Sequence, residues 1–177
     1  MTSLSPTLAT AVRRAGEWSA AQDSVTLDYE SRFLRRKRLT ADGGTLFVAD
    51  LPETVSLEEG DALLLEDGRL IEVKAAAESL VAVTGSNLAR LAWHIGNRHT
   101  PCEIGANRLV IRHDHVLEEM LKGLGATVER FDGPFRPEGG AYGHGRTMGH
   151  SHGHDHRPAS SDRHHLSADD FGMGGDE

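Results

Sequence analysis

Apolar residues become scarce after about residue 132. More than any other feature of the sequence, this limits which part of the chain can form a packed core. Residues 133–177 contain no valine or isoleucine and a single leucine, while half of the chain's 20 glycines lie there. Such a segment cannot bury enough apolar surface to offset the entropy lost when it becomes ordered. We therefore expect the folded part to end near residue 143 and residues 144–177 to form a flexible tail.

The first half of the folded part alternates apolar and polar residues with a period of two. Val25 and Leu27 show this alternation, which is typical of a half-buried strand. Glycine-containing turns at residues 41–44 and 66–68 separate further short apolar runs, so both turns are predicted to close β-hairpins. Residues 1–74 are therefore predicted to form a small all-β domain.

Two stretches of this domain carry weak or conflicting signals. Leu4, Leu8 and Val12 fit a short amphipathic turn, and disorder at the terminus explains the first 23 residues equally well. Pro52 is expected to break the stretch around it, because proline cannot donate a hydrogen bond to a neighbouring strand. We place the boundary to a second domain at residues 74–78, which lack strand alternation.

Helix-like and strand-like patterns alternate in the second half. Residues 80–83 form a short apolar run, and residues 88–95 place their apolar side chains on one helical face. Ser86 is predicted to cap this helix, and Gly96 is predicted to end it in the left-handed conformation. Asp114 is predicted to cap a second helix.

Short strands around these helices complete the pattern. Residues 102–104, 109–111 and 127–131 are predicted strands. The resulting order, β-α-β-β-α-β over residues 78–131, is the ferredoxin-like arrangement. The predicted fold class is therefore α+β, with the all-β domain followed by a ferredoxin-like domain at residues 75–143.

The composition restricts the function classes. A formal net charge of −8 argues against general binding to nucleic-acid phosphates. Cys102 alone can form neither an internal disulfide nor a multi-cysteine metal site, which fits a reducing cytoplasm. No run approaches the ~20 apolar residues of a membrane span, and the N-terminus shows no export signal. One basic run is interpreted as a solvated edge strand: Arg32, Arg35, Arg36, Lys37 and Arg38.

Four histidines lie in the folded part, and three of them are candidate metal ligands. His113 and His115 stand two residues apart, so both imidazoles would face the same side of an extended segment. Imidazole is the commonest protein ligand for transition metals. The alternative is that both are solvated and Asp114 is only a helix cap. His99 follows the first helix, where a loop histidine is ordinarily a surface residue, and His94 is interpreted as structural.

The predicted tail carries the stronger compositional signal for metal. Glycine and serine between alternating histidines let the backbone wrap around an ion, and such tracts are typical of metal binding. The alternative is a purification tag or a neutral solubilising tail. Because only neutral imidazole binds, we expect tail binding to weaken sharply below the reference pKa of ~6.5. The candidate tail ligands are His144, His150, His152, His154 and His156.

The ligand types narrow the choice of metal without selecting one. Sites built from imidazole and carboxylate without thiolate suit Zn²⁺, Cu²⁺, Ni²⁺ or Co²⁺. The residues by themselves indicate a metal-handling protein. They leave open a metal chaperone, a metal-dependent enzyme such as a zinc hydrolase, and a peptide-binding module with a metal-buffering tail.

Several linked motifs resemble the UreE family of urease accessory nickel chaperones. They are His-Ile-Gly-Asn-Arg-His at residues 94–99, Pro-Cys-Glu-Ile at residues 101–104, Arg-His-Asp-His-Val-Leu-Glu-Glu-Met-Leu at residues 112–121, and Pro-Phe-Arg-Pro-Glu-Gly-Gly-Ala-Tyr-Gly at residues 134–143. A histidine-rich end follows. The resemblance extends over most of residues 24–156, and the order of the motifs makes it specific.

The resemblance implies a fold, a site and a set of partners. It implies an N-terminal domain similar to the peptide-binding domains of Hsp40 chaperones, and a homodimer joined through the ferredoxin-like domain. His99 would meet its symmetry mate there and hold Ni²⁺. His113 and His115 would match a peripheral site that some members use. The implied function is non-enzymatic delivery of Ni²⁺ to apo-urease, with an accessory GTPase as the exchange partner.

Overall fold

The computed structural model describes residues 6–139, which form two β-sheets and two helices. The strands of the first sheet are β1 (Thr7–Arg13), β2 (Asp23–Leu27), β3 (Phe33–Thr40), β4 (Leu46–Ser56), β5 (Ala62–Leu65) and β6 (Leu70–Ala75). Their order is β2-β6-β5-β1-β4-β3. The pairs β1–β4 and β2–β6 are parallel, and the other pairs are antiparallel.

β1 corrects the expectation of a weakly structured N-terminus. It lies inside the sheet, parallel to β4 on one side and antiparallel to β5 on the other. Its fully buried residue is Ala9, whose small side chain adds little to an apolar pattern in the sequence. The prediction of an amphipathic turn or disorder is therefore wrong for residues 7–13, because pairing with distant strands overrides a weak local signal.

Both predicted hairpins are present in the first sheet. β3 pairs antiparallel with β4, and β5 with β6. The turns contain Gly44 and Gly68 at φ of 93° and 87°, a conformation that glycine adopts without a Cβ clash. β3 is an edge strand whose residues 35–38 are exposed, as predicted for the basic run, whereas Arg32 is buried. The basic run is thus divided between a solvated edge and the interior.

Pro52 does not end its strand, contrary to the prediction. The register of β4 against β3 jumps from Asp50 opposite Arg36 to Val55 opposite Leu34. Pro52 lies inside this irregularity, where the ladder requires no hydrogen bond from its nitrogen. The strand therefore passes through the proline while its pairing is interrupted.

The second sheet has the strand order of the predicted ferredoxin-like arrangement. Its elements are β7 (Ala77–Thr84), α1 (Leu88–Gly96), β8 (Glu103–Ile104), β9 (Leu109–Arg112), α2 (His115–Gly123) and β10 (Thr127–Pro134). The order is β10-β7-β9-β8, and every pair is antiparallel. Both helices pack on this sheet through one buried cluster. Its core residues are Val81, Val83, Leu91, Ile95, Leu109, Ile111, Leu117 and Leu121.

The ends of α1 differ from the predictions by one to three residues. Asn87, rather than Ser86, is the N-cap, and its side-chain oxygen accepts a hydrogen bond from the backbone N–H of Arg90 at 3.0 Å. Gly96 is still helical, and Asn97 after it has a right-handed φ of −64°. The left-handed residue expected at Gly96 is instead His99. Neither helix within residues 6–139 is long and apolar enough to cross a membrane.

The two sheets are joined closely, since β6 ends at Ala75 and β7 begins at Ala77. The backbone N–H of Tyr29 donates to a carboxylate oxygen of Glu78 at 3.0 Å. An ion pair of 2.9 Å links Arg112 in β9 to Glu30, which follows β2. These contacts connect the end of the first sheet's β2 to the second sheet.

The segment after β10, residues 135–139, returns to the first sheet and is called the return segment here. Phe135 is fully buried and packs edge-on against Tyr29, with ring centroids 5.3 Å apart. Its carbonyl oxygen accepts a hydrogen bond from Nη2 of Arg32 at 2.5 Å, and Arg136 pairs with Glu59 of the first domain. The apolar core therefore extends three residues past Asp132, contrary to the sequence-based limit.

Candidate metal centre

His99 lies in a tight turn immediately after α1. The backbone N–H groups of Arg98 and His99 donate to the carbonyl oxygens of Ile95 and Gly96 at 3.1 and 2.9 Å. His99 has a φ of 54°, and within residues 6–139 it is the one non-glycine residue with positive φ. Such a backbone is strained by about 1 kcal/mol for most residues, and histidine is among those that tolerate it best. The turn leaves the His99 side chain exposed at the end of the helix.

His113 directly follows β9, and one edge of its imidazole is anchored. Its backbone N–H donates to the carbonyl oxygen of Ser79 at 3.0 Å. Its Nδ1 lies 2.5 Å from Oε1 of Glu118 in α2. The His113 side chain is nevertheless 38% exposed, so the ring is held on one side and open to solvent on the other.

Glu118 is a buried carboxylate, with only 3% of its side chain exposed. Its Oε2 accepts hydrogen bonds from Nε and Nη2 of Arg130 in β10, at 3.1 and 3.0 Å. Burial raises the pKa of Glu118, but the hydrogen bonds from Arg130 and His113 lower it further, and the net pKa lies below the usual value. Glu118 is therefore ionised at neutral pH.

Asp114 is the N-cap of α2, as predicted. Its Oδ1 accepts from the backbone N–H groups of Val116 and Leu117 at 2.9 and 3.0 Å. One carboxylate oxygen is thus committed to the helix start. His115 is the first residue of the helix, and its side chain is exposed.

An open cleft of about 450 Å³ lies between the end of α1 and the start of α2. His99, His113 and Asp114 line it, and Glu78 contributes a further carboxylate. The structure therefore brings two of the three candidate histidines of the folded part, His99 and His113, to one cleft. His115, one residue beyond the cap, is not among the residues that line it.

Cys102 and His94 are not among the residues that line this cleft. Cys102 is half-buried and packs against the core of the second domain. Burial raises the pKa of its thiol to about 11, so thiolate is scarce at neutral pH and the residue is a poor metal ligand or nucleophile. The ring of His94 is half-buried and meets Trp93 edge-on, with centroids 5.0 Å apart.

The remaining candidate ligands lie outside the described residues. Within residues 6–139 of one chain, no three histidine, cysteine, aspartate or glutamate side chains lie close enough together to hold a metal ion. Five tail candidates lie beyond residue 139: His144, His150, His152, His154 and His156.

Glu118 and Arg130 are residues of this site that the sequence reasoning missed. The available signal was a glutamate in the first turns of a helix that starts beside a histidine. Nothing local identifies which of Glu118 and Glu119 is buried, and Arg130 approaches from a strand 12 residues away in sequence. The link between helix, strand and histidine is created only by the fold.

Two family models cover most of the chain. The model of the UreE urease accessory protein N-terminal domain matches residues 6–76, and the model of the C-terminal domain matches residues 70–165. Each corresponds to one of the two sheets and, for the second, the sequence that follows it.

Individual relatives agree with the family models. The urease accessory protein UreE of Rhodobacter capsulatus is 63% identical over 148 residues, which cover 84% of this chain and 94% of the relative. The protein of the same name from Ruegeria pomeroyi is 62% identical over 141 residues, covering 80% and 95%. That from Cereibacter sphaeroides is 65% identical over 141 residues, covering 79% and 77%.

Proposed function

The chain belongs to the UreE family of urease accessory proteins, and on this premise we propose that it is a nickel chaperone for urease maturation. It binds Ni²⁺ at the seam of a homodimer and in the histidine-rich tail, and delivers the ion for assembly of the urease active site. The family is one of accessory proteins rather than enzymes. The proposed place of action is the cytoplasm.

The observation that carries the proposal is the conformation of His99. An exposed imidazole on a left-handed backbone, at the mouth of a cleft that His113 also lines, is an unusual position for a purely structural residue. Strained backbone conformations concentrate at functional sites. A ligand role accounts for an exposed histidine at this turn.

A two-fold axis would complete the site. A symmetric dimer presents every interface residue twice, so one His99 per chain becomes two imidazoles for one ion. Trp93, on the helix that precedes His99, is 62% exposed, and large exposed apolar side chains are common at contacts between subunits. Both features favour an interface at the end of α1.

Delivery requires a site that also releases its ion. An exposed ion with few protein ligands can accept a partner's ligands before its own depart. The same chemistry admits Zn²⁺, Cu²⁺ or Co²⁺, since imidazole does not by itself select nickel. We propose an accessory GTPase as the exchange partner and apo-urease as the final acceptor, with no role for nucleic acid or membrane.

Metal counting by native mass spectrometry tests the function. Purified protein loaded with Ni²⁺ should appear as a dimer carrying one tightly held ion, with further ions added at higher concentration. Urease activity in a host whose own copy of the protein is deleted should return with this chain at limiting nickel. A monomer that binds nickel one ion per chain would contradict the shared site.

Removal of the tail is expected to reduce capacity without removing the tightest site. A chain ending at residue 143 should keep its high-affinity ion and lose the weaker ones, because all five candidate tail ligands are gone: His144, His150, His152, His154 and His156. Calorimetric titration measures both affinity and stoichiometry. The matched control is the full-length chain with these five histidines changed to glutamine, which should behave like the truncated chain. Unchanged stoichiometry in both would exclude the tail as a nickel store.

A further inference from the structure

Glu118 contacts side chains from two other parts of the second domain, so it links α2 to β10 and to the residue after β9. It projects from α2 and accepts hydrogen bonds from Arg130 of β10 through Oε2, while Oε1 faces Nδ1 of His113 beyond β9. A carboxylate that is 3% exposed is unfavourable unless its oxygens are paired. Both oxygens are paired here, so the carboxylate is fixed in position.

The contact between Glu118 and His113 selects one form of the imidazole. Two hydrogen bonds from the Arg130 guanidinium to Oε2 make Glu118 an acceptor, so Nδ1 of His113 is the donor in the 2.5 Å contact with Oε1. In neutral imidazole the lone pair then lies on Nε2. His113 therefore offers Nε2, at the opposite edge of the ring, as its one free metal-binding atom.

The exposure of His113 fits that assignment. Its side chain is 38% exposed although its partner is buried, and His113 lines the same cleft as His99. Histidines that bind metals almost always donate their other ring N–H to a carboxylate, a carbonyl oxygen or water. The cluster of Glu118, Arg130 and His113 has this arrangement.

We propose that Glu118, held by Arg130, is a positioning residue that fixes His113 as an Nε2 ligand for a nickel ion in the cleft, at a site separate from the one that two copies of His99 would form. The proposal rests on the proposed function, because it deepens the role of the second candidate histidine. It separates the members of the predicted pair: His113 is held by a buried carboxylate, whereas His115 is an exposed first residue of α2 and does not line the cleft.

The first test measures the tautomer of metal-free protein. Two-bond nitrogen–proton NMR spectra of the full chain show which nitrogen of each imidazole carries the proton, and the signal lost in His113→Gln assigns His113. We expect the proton on Nδ1 of His113 at neutral pH. A proton on Nε2 instead would overturn the proposal, whatever the protein does with nickel.

The second test measures nickel binding in variants of α2. Glu118→Gln should weaken nickel binding at the His113 site by about 10- to 100-fold, the usual effect of losing a ligand's outer partner. The site that depends on His99 should keep its affinity. Glu118→Asp, whose shorter carboxylate restores charge but not reach, should lie between Glu118→Gln and the wild type. Glu119→Gln is the matched control, because Glu119 is exposed and forms its ion pair with Lys122 on the surface of the helix.

The outcomes separate this proposal from the function on which it rests. Normal nickel binding by folded Glu118→Gln protein would overturn the positioning role while leaving His113 a ligand. Unchanged nickel stoichiometry in His113→Gln would remove His113 from the nickel site, and the proposal with it, even if the tautomer is as expected. If Glu118→Gln does not fold, a proton on Nε2 of His113 in wild-type protein, or unchanged nickel stoichiometry in His113→Gln, still overturns the proposal.

Discussion

Replacement of His99 by alanine is expected to weaken nickel binding at the shared site by about 100-fold or more. Loss of an outer partner of a ligand costs about 10- to 100-fold, and loss of the ligand itself costs at least as much. In a symmetric dimer the single change removes two imidazoles. Native mass spectrometry should show one ion fewer per dimer at nickel concentrations that saturate wild-type protein, and urease activation should fall in parallel.

The left-handed backbone at His99 makes a matched pair of variants informative. His99→Gly removes the imidazole and relieves the strain, while His99→Asn removes it and keeps a side chain that tolerates a φ of 54°. Both should bind nickel as poorly as His99→Ala. His99→Gly should also be more stable than His99→Ala by about 1 kcal/mol in urea denaturation. Wild-type nickel affinity in His99→Gly would exclude His99 as a ligand.

Replacement of Phe135 by alanine is expected to lower the free energy of unfolding by about 3–5 kcal/mol. Phe135 is fully buried among residues of both sheets, including Tyr29 from the first and Leu80 and Val110 from the second. Alanine would leave a cavity at the contact between the two domains. The urea denaturation midpoint, compared with that of Phe135→Leu, which should cost less than about 1.5 kcal/mol, measures this contribution.

The chain's two tryptophans can report on the two domains separately. Trp18 belongs to the first domain, where its Nε1 donates to the carbonyl oxygen of Gly60 at 3.0 Å, and Trp93 lies in α1 of the second. Trp18→Phe and Trp93→Phe each leave one tryptophan, which reports on one domain. With Phe135 unchanged, the unfolding transitions of these two variants should coincide. Phe135→Ala should separate them, because the domains lose their shared core. Coincident transitions and an unchanged midpoint in Phe135→Ala would contradict a coupling role.

The fold was predictable where residues repeat with a clear period. Alternation identified β2, glycine-containing turns identified the hairpins β3–β4 and β5–β6, and the helical spacing of Leu88, Leu91 and Ile95 identified α1. β1 was missed because its buried centre is alanine and its partners, β4 and β5, are distant in sequence. A local sequence pattern indicates only which face of a segment is buried. β1 is stabilised by pairing with β4 and β5, which lie elsewhere in the sequence.

The positions of the candidate ligands could be predicted, whereas the residues that hold them in place could not. Spacing marked His113 as a candidate, and the resemblance to the UreE family marked His99, whose loop position alone indicated a surface residue. The structure places both on one cleft, and their role as ligands stays a prediction. The positive φ of His99 could not be read from its type, since Gly96 was the stronger local candidate. The buried carboxylate of Glu118 is paired by Arg130 from the last strand, β10. The sequence of α2 alone therefore does not explain why Glu118 is buried.

Arg112 and His113 are consecutive and both line the cleft, while Arg112 also contacts the N-terminal domain. Arg112 pairs with Glu30 at 2.9 Å, and its guanidinium lies 5.4 Å from the centre of the Tyr29 ring, both in the N-terminal domain. His113 turns toward the cleft. A shift of Glu30 or Tyr29 would therefore act on the residue directly before His113, which links the packing of the N-terminal domain to the position of a candidate ligand.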